Sequence, residues 1–231
     1  MITETNRLQV AYINKPAEQP LIIRWVAKFI SYVFHPVFVP VYVVWFLLYV
    51  HPSMFTGFSG FQKARLLAMA FVSFTFFPLV TVFLLKALKF IESVQLKTQK
   101  DRIIPLIACM IWYFWIWYVW SNFGKTRDVV DIPRPAVQFA FATFFSTIIA
   151  LMLNIKMKVS LHTVSMGVML TFMLLLAYTE ELNFGLYLAV AFLVTGLVAT
   201  ARLIASDHTT KEIYAGLATG AVSMLVAWNF A

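Results

Sequence analysis

The chain has little charge and only one cysteine. Only 12% of its 231 residues are Asp, Glu, Lys or Arg, whereas 61% are hydrophobic and the mean hydropathy is +0.83. This composition excludes a soluble globular domain and indicates a polytopic membrane protein. The lone Cys109 excludes an intramolecular disulfide, and its position in an apolar run argues against a thiolate metal site.

Long apolar runs predict an all-α fold, a polytopic transmembrane helical bundle of six to seven spans. The candidate spans are 22–50, 64–90, 103–120, 136–153, 161–178, 184–203 and 213–230. We expect a polar amino-terminal tail over 1–21 and a single transmembrane helical domain over 22–231. Pro36 and Pro40 leave open whether the first candidate is kinked or partly re-entrant. Gly216 and Gly220 predict a close helix contact in the last one.

Cations outnumber acidic residues by 18 to 10, which gives a formal net charge of +8. If every candidate crosses, most Lys and Arg lie on the face that holds the loops before residues 103, 161 and 213. The positive-inside rule then places this face in the cytoplasm and predicts a protein of the bacterial inner (cytoplasmic) membrane. Basic loops suit anionic membrane lipids as partners. Cations scattered over short loops disfavour nucleic acid, and no oligomeric state is predicted.

Three ionisable residues, Arg202, His208 and Glu212, lie between the last two apolar runs. Charged groups at membrane depth are costly and mark functional sites. His208 and Glu212 are four residues apart, so on a helix the carboxylate can hold the imidazole. The other ring nitrogen is then free to attack phosphorus, and the planar fork of Arg202 suits phosphoryl oxygens. The alternative is that Arg202 ends one span at the interface while the other two residues cap the next.

A second histidine stands at the start of an earlier span, in Ser160-Leu161-His162. The free backbone amides of a helix start favour an anion, and His162 is placed to protonate a leaving-group oxygen. The alternative is an N-cap serine followed by an interfacial histidine. Two spans that cross the membrane in opposite directions separate His162 from Arg202, so both residues lie on the same face. His35, within the first candidate span, either lines a lipid cavity or is hydrogen-bonded between helices.

These residues resemble a known family of membrane lipid phosphatases. The pattern Ala-Arg-x5-His-x3-Glu, which begins at Ala201, resembles the third motif of the type-2 phosphatidic-acid phosphatases, Ser-Arg-x5-His-x3-Asp. The pattern Val-Ser-Leu-His, which begins at Val159, resembles their second motif, Pro-Ser-Gly-His. The resemblance covers residues 156–231, and the order of the helices between the two motifs agrees as well.

The resemblance implies a role for each residue of the two motifs. His208 would be the nucleophile that becomes phosphorylated, Glu212 would orient it, and His162 would protonate the leaving group. Arg202 and Ser160 would hold the phosphate, and no metal or other cofactor would be required. The function that follows is an integral-membrane, metal-independent phosphatase acting on a lipid phosphate or diphosphate.

The departures from the family's motifs favour a second function. Leu161 replaces a glycine and crowds the approach of an anion to the backbone, which favours a non-catalytic bundle that binds or translocates anionic lipids. The family's first motif, Lys-x6-Arg-Pro, has no match with both the right spacing and the right face. We assign its phosphate-binding role to three cations on the same face as the other motifs: Lys97, Lys100 and Arg102. Lys156 or Lys158 is an alternative for the missing lysine of that motif.

Overall fold

The structure is a computed structural model that describes residues 19–51, 53–96, 98–123, 131–180, 183–205 and 208–230. It is 80% helical, and no strand occurs within these ranges. The all-α prediction is therefore confirmed. Lys97 lies outside the described residues, as does the predicted tail up to residue 18.

The helices of the described residues form a bundle in which six are long and apolar enough to cross a membrane. In chain order the helices are α1 (Leu21–Val33), α2 (Val39–Val50), α3 (Gly60–Ala87), α4 (Gln99–Ser121), α5 (Arg134–Asn154), α6 (Leu161–Thr179), α7 (Gly185–Ala205) and α8 (Thr210–Phe230). The six are α3 to α8. The chain is an integral membrane protein, and six spans is the lower number of the predicted range.

The first predicted span is broken into two helices. α1 ends at Val33, because Pro36 disfavours helical backbone at His35 and supplies no amide of its own. Side chains satisfy two carbonyl groups near the break: the Tyr42 hydroxyl donates to the Val33 oxygen at 2.9 Å, and Thr75 Oγ1 donates to the Val37 oxygen at 2.7 Å. The break therefore has a fixed shape and holds His35 beside the start of α6.

α2 runs from the end of the bundle that holds His35 to the opposite end. At its start Val39 packs with Met166 of α6. At its far end Phe46 makes an edge-on ring contact with Tyr187 near the start of α7, at 5.1 Å between centroids. The core between these ends is aromatic, with Phe74, Phe139 and Phe172 fully buried.

The starts of α6 and α8 approach each other closely. A Cβ atom added at Gly216 would collide with the side chain of Thr163, and one added at Gly220 would collide with the backbone of Val164. The close contact predicted from this glycine pair is therefore confirmed. Because the two backbones touch here, the residues just before α6 and α8 are held side by side.

Candidate functional site

Three loops meet at one end of the bundle. Arg102, near the start of α4, donates from Nη1 to the Val159 oxygen at 2.7 Å and from Nε to the Leu96 oxygen at 3.0 Å. The Ser160 amide donates to the Glu212 oxygen at 3.3 Å. The predicted gathering of the motifs on one face is therefore observed, and we call this end of the bundle the basic end.

His208 is held by Glu212 at the start of α8. The Nδ1 atom of His208 lies 3.1 Å from Glu212 Oε2. The same carboxylate oxygen accepts the Thr209 amide at 2.9 Å, and Thr209 Oγ1 accepts the Glu212 amide at 3.3 Å, which makes a capping box. Since an ionised carboxylate only accepts hydrogen bonds, Nδ1 carries the proton and Nε2 keeps its lone pair.

The surroundings of His208 keep its ring neutral at pH 7. Burial lowers the pKa of His208 below the usual 6.5, and the hydrogen bond that His208 donates to Glu212 opposes this effect. The positive charges of Arg102, Arg202 and Lys158 lower the pKa further. A neutral imidazole with a free Nε2 is the form that acts as a nucleophile.

His162 is held from the other side of the site by α1. Its Nε2 atom lies 3.0 Å from the Ser31 oxygen, so this nitrogen carries a proton. The ring of His35 meets the ring of His162 edge-on, at 5.2 Å between centroids. Nδ1 of His35 is buried and has no hydrogen-bond partner among the described residues. Burial and the charge of Arg202 lower the pKa of His35 to about 4.

A cavity of about 210 Å³ opens among these groups. Its polar lining includes three imidazoles and two guanidinium groups, together with hydroxyl groups of α5 and α6. The imidazoles and guanidinium groups belong to His35, Arg102, His162, Arg202 and His208. Cations and imidazoles around one cavity suit a phosphoryl group, because both donate hydrogen bonds to anionic oxygens.

Two other predicted phosphate ligands, Ser160 and Lys100, are not at the cavity wall. Ser160 is fully buried as the N-cap of α6, its Oγ atom has no hydrogen-bond partner among the described residues, and it does not line the cavity. Lys100 is exposed and does not line it either. Lys158 is half-buried and close enough to His208 and Glu212 to affect both electrostatically.

His35 is the cavity residue that the sequence placed least clearly. In the sequence, a histidine directly before Pro36 inside an apolar run is compatible with two roles: lining a lipid cavity, or packing between helices through a hydrogen bond. Which of the two applies depends on the break between α1 and α2, and that break is fixed by contacts with Tyr42 and Thr75.

The described residues contain no group of three or more His, Cys, Asp and Glu side chains that could hold a metal ion. The donors around the cavity are instead those of an anion site, with Glu212 bound to His208 and to the Thr209 amide. No protein-family model, curated protein or solved structure matches the chain.

Proposed function

We propose that the chain is a metal-independent phosphatase that hydrolyses a lipid phosphate or diphosphate through a phosphohistidine at His208. The observation that carries this proposal is the 3.1 Å contact between His208 Nδ1 and Glu212 Oε2 beside a cavity lined by guanidinium groups. Positioning and charge stabilisation are the main contributions that a protein makes to phosphoryl transfer. The resemblance to the type-2 phosphatidic-acid phosphatases supports the same assignment of roles.

In the first step His208 Nε2 attacks the phosphorus atom of the bound lipid phosphate. A bond forms between nitrogen and phosphorus, the bond from phosphorus to the ester oxygen breaks, and that oxygen leaves with the bonding electron pair. The ring of His208 becomes cationic during the attack, and Glu212 stabilises this charge through the hydrogen bond to Nδ1.

The leaving oxygen takes a proton from His162. Because Nε2 of His162 donates to the Ser31 oxygen, the transferred proton is held on Nδ1, and His162 acts in its imidazolium form. The negative charge of the bound phosphate favours that form. His35, with its pKa of about 4, is uncharged at pH 7 and serves to hydrogen-bond the phosphoryl oxygens.

In the second step water attacks the phosphohistidine. His162, now neutral, accepts a proton from the water, the bond between phosphorus and nitrogen breaks, and inorganic phosphate leaves. Arg202 and Arg102 stabilise the phosphoryl oxygens in both steps. Among the described residues, Arg102 donates two of its five N–H groups to backbone oxygens, and we assign the other three to the substrate.

Two details favour a second function, the binding or translocation of anionic lipids without hydrolysis. Leu161, which stands where the resembling family has glycine, lines the cavity. Ser160, which would hold phosphate in that family, does not line it. A site that retains Arg102 and Arg202 still binds a phosphate group under this alternative.

We propose in addition that the basic end faces the cytoplasm. The cations of the described residues near this end include Lys86 in the last turn of α3, Lys89 just after that helix, and Lys156 and Lys158 after α5. The positive-inside rule applies to such short loops. A cytoplasmic site suits a lipid phosphate that is made on that side.

Phosphate release tests the proposal. The purified protein is incubated with lipid phosphates in the presence of a chelator, and His208→Asn is compared with wild type. Lys156→Gln serves as the control, because Lys156 is exposed and does not line the cavity. We expect release by wild type and by the control and none by His208→Asn. Lipid binding without release by a folded wild type would favour the non-catalytic alternative.

A further inference from the structure

The cavity is much longer than a phosphate group needs. Along α4 its lining residues recur once per helical turn, at one or two positions in each turn, so they form one face of the helix. They are Arg102, Pro105, Leu106, Cys109 and Tyr113. At the helical rise of 1.5 Å per residue, the distance from Arg102 to Tyr113 is ~16 Å. The cavity therefore extends from the basic end deep into the apolar part of the bundle.

α5 gives the same depth independently. Its lining residues also recur at helical spacing: Ala150, Thr147, Ser146, Thr143 and Phe139. α5 runs antiparallel to α4, so Ala150 lies near the basic end and Phe139 lies deepest. The two are again eleven positions apart, which corresponds to ~16 Å. We call the part of the cavity beyond Leu106 and Ser146 the apolar arm.

The apolar arm is closed at its deep end. Tyr113 is 5% exposed and Phe139 is 1% exposed, and the ring of Phe139 contacts that of Phe172 at 5.0 Å between centroids. The side walls include Val39 from α2 and Val168 from α6, and the hydroxyl group of Thr143 on this wall donates to the Phe139 oxygen at 3.0 Å. An arm of this composition takes a hydrocarbon chain rather than a column of water.

The width of the cavity limits how many chains it takes. A cavity of about 150 Å³ holds one benzene ring, and the whole cavity here measures about 210 Å³. Spread over a depth of ~16 Å, this volume accommodates one chain in single file. Two long chains side by side do not fit.

We infer that the substrate is a lipid with a single apolar chain, a monoalkyl, monoacyl or polyprenyl phosphate, and that the first part of this chain occupies the apolar arm. A two-chain lipid such as a phosphatidate is excluded from the arm. That the lipid carries a phosphate group rests on the proposed function, whereas its single apolar chain is inferred from the shape and lining of the cavity.

Cys109 provides a native reporter for the arm, because it is the only cysteine of the sequence and lies on the wall. It is seven residues from Arg102, ~10 Å deeper along α4. The test is the rate at which N-ethylmaleimide alkylates Cys109 in protein reconstituted into phosphatidylcholine vesicles. Dodecylphosphonate, butylphosphonate and dipalmitoyl phosphatidate are added in turn, and alkylation is read by mass spectrometry.

We expect dodecylphosphonate to slow the alkylation of Cys109 at least tenfold, because its chain fills the arm. Butylphosphonate is too short to cover Cys109, and the phosphatidate is too wide, so both leave the rate within about twofold. The matched control is Cys109→Ala combined with Ile111→Cys. Ile111 is 58% exposed on the same helix, so a cysteine there faces lipid and gains no protection.

Three results would overturn the inference. The first is that the phosphatidate protects Cys109 as well as dodecylphosphonate does, and the second is that dodecylphosphonate gives no protection. The third is that Cys109 is not alkylated in the folded protein although it reacts fully in dodecyl sulfate. The readout does not require hydrolysis. A protein that releases no phosphate but shows the expected protection contradicts the phosphatase proposal and leaves the single-chain inference standing.

Discussion

The backbone amide of Ser160 donates a hydrogen bond to the backbone oxygen of Glu212 at 3.3 Å. This contact joins the N-cap of α6 to the first turn of α8, and so it joins the two motifs singled out in the sequence. Because Glu212 also holds His208, the position of the proposed nucleophile depends on how closely α6 and α8 approach. The glycines between these helices therefore support the site as well as the fold.

Gly216→Ala should destabilise the protein and reduce activity together. The added methyl group collides with Thr163 and with the Ser160 oxygen, so α8 must move away from α6. Overpacking of this kind costs about 1–3 kcal/mol. Gly196→Ala on α7 is the matched control, since nothing lies within 4 Å of its added Cβ. Thermal unfolding in detergent should show a lower Tm for Gly216→Ala alone, and an equal Tm for the two variants would contradict the close contact.

Glu212→Gln should move the acidic limb of the pH–rate profile to lower pH. In the proposed mechanism the neutral form of His208 is the active one, so activity is lost as pH falls through its pKa. Glu212 raises that pKa against the effect of burial, and an uncharged amide removes this contribution. The pKa then falls further below 6.5. The check is kcat/KM measured from pH 4 to 8, and a limb that stays in place or moves upward would count against the assignment.

Lys158→Gln should shift the same limb in the opposite direction. The charge of Lys158 lowers the pKa of His208, so its removal raises the pKa and activity is lost at a higher pH. Lys156→Gln is the control from the same loop, because Lys156 is exposed and does not line the cavity. Identical profiles for the two variants would show that Lys158 has no influence on the nucleophile.

His162→Gln should slow hydrolysis according to the leaving group. The amide of glutamine can still donate to the Ser31 oxygen, but it cannot protonate a leaving oxygen. Loss of a general acid costs ~10²–10⁴-fold for an alkyl phosphate, and much less for an aryl phosphate whose leaving group needs no proton. His35→Gln should slow both substrates equally, because its proposed role is to hydrogen-bond the phosphoryl oxygens, which both substrates share. If only His35→Gln slowed hydrolysis according to the leaving group, His35 rather than His162 would be the general acid.

The spanning helices could be predicted from the sequence because each needs only a sufficiently long apolar run. The break between α1 and α2 could be suspected from Pro36, but its shape depends on Thr75, which lies 38 positions away from Val37 along the chain. A tertiary contact of this kind leaves no local signal.

The pairing of His208 with Glu212 was predictable from the sequence, but its geometry was not. The prediction places both residues on one helix, whereas α8 begins at Thr210 and His208 lies just before it. The carboxylate of Glu212 reaches back to His208 because it also accepts the Thr209 amide in the capping box.

The cations of the first motif depend instead on where α4 begins. Because the helix starts at Gln99, Arg102 and Lys100 point ~200° apart around its axis. Arg102 therefore faces the cavity while Lys100 is exposed. The predicted span begins at Ile103, after both residues, so it gives neither side chain a direction.

The most direct test of the central proposal is to trap the phosphorylated enzyme. Wild type is mixed with ³²P-labelled monododecyl phosphate, quenched in alkaline dodecyl sulfate within one turnover, and digested for mass spectrometry. We predict an acid-labile phosphoryl group on His208, which is absent from His208→Asn and still present in Lys156→Gln. Turnover without any phosphorylated residue, or with the label on another side chain, would contradict the phosphohistidine mechanism.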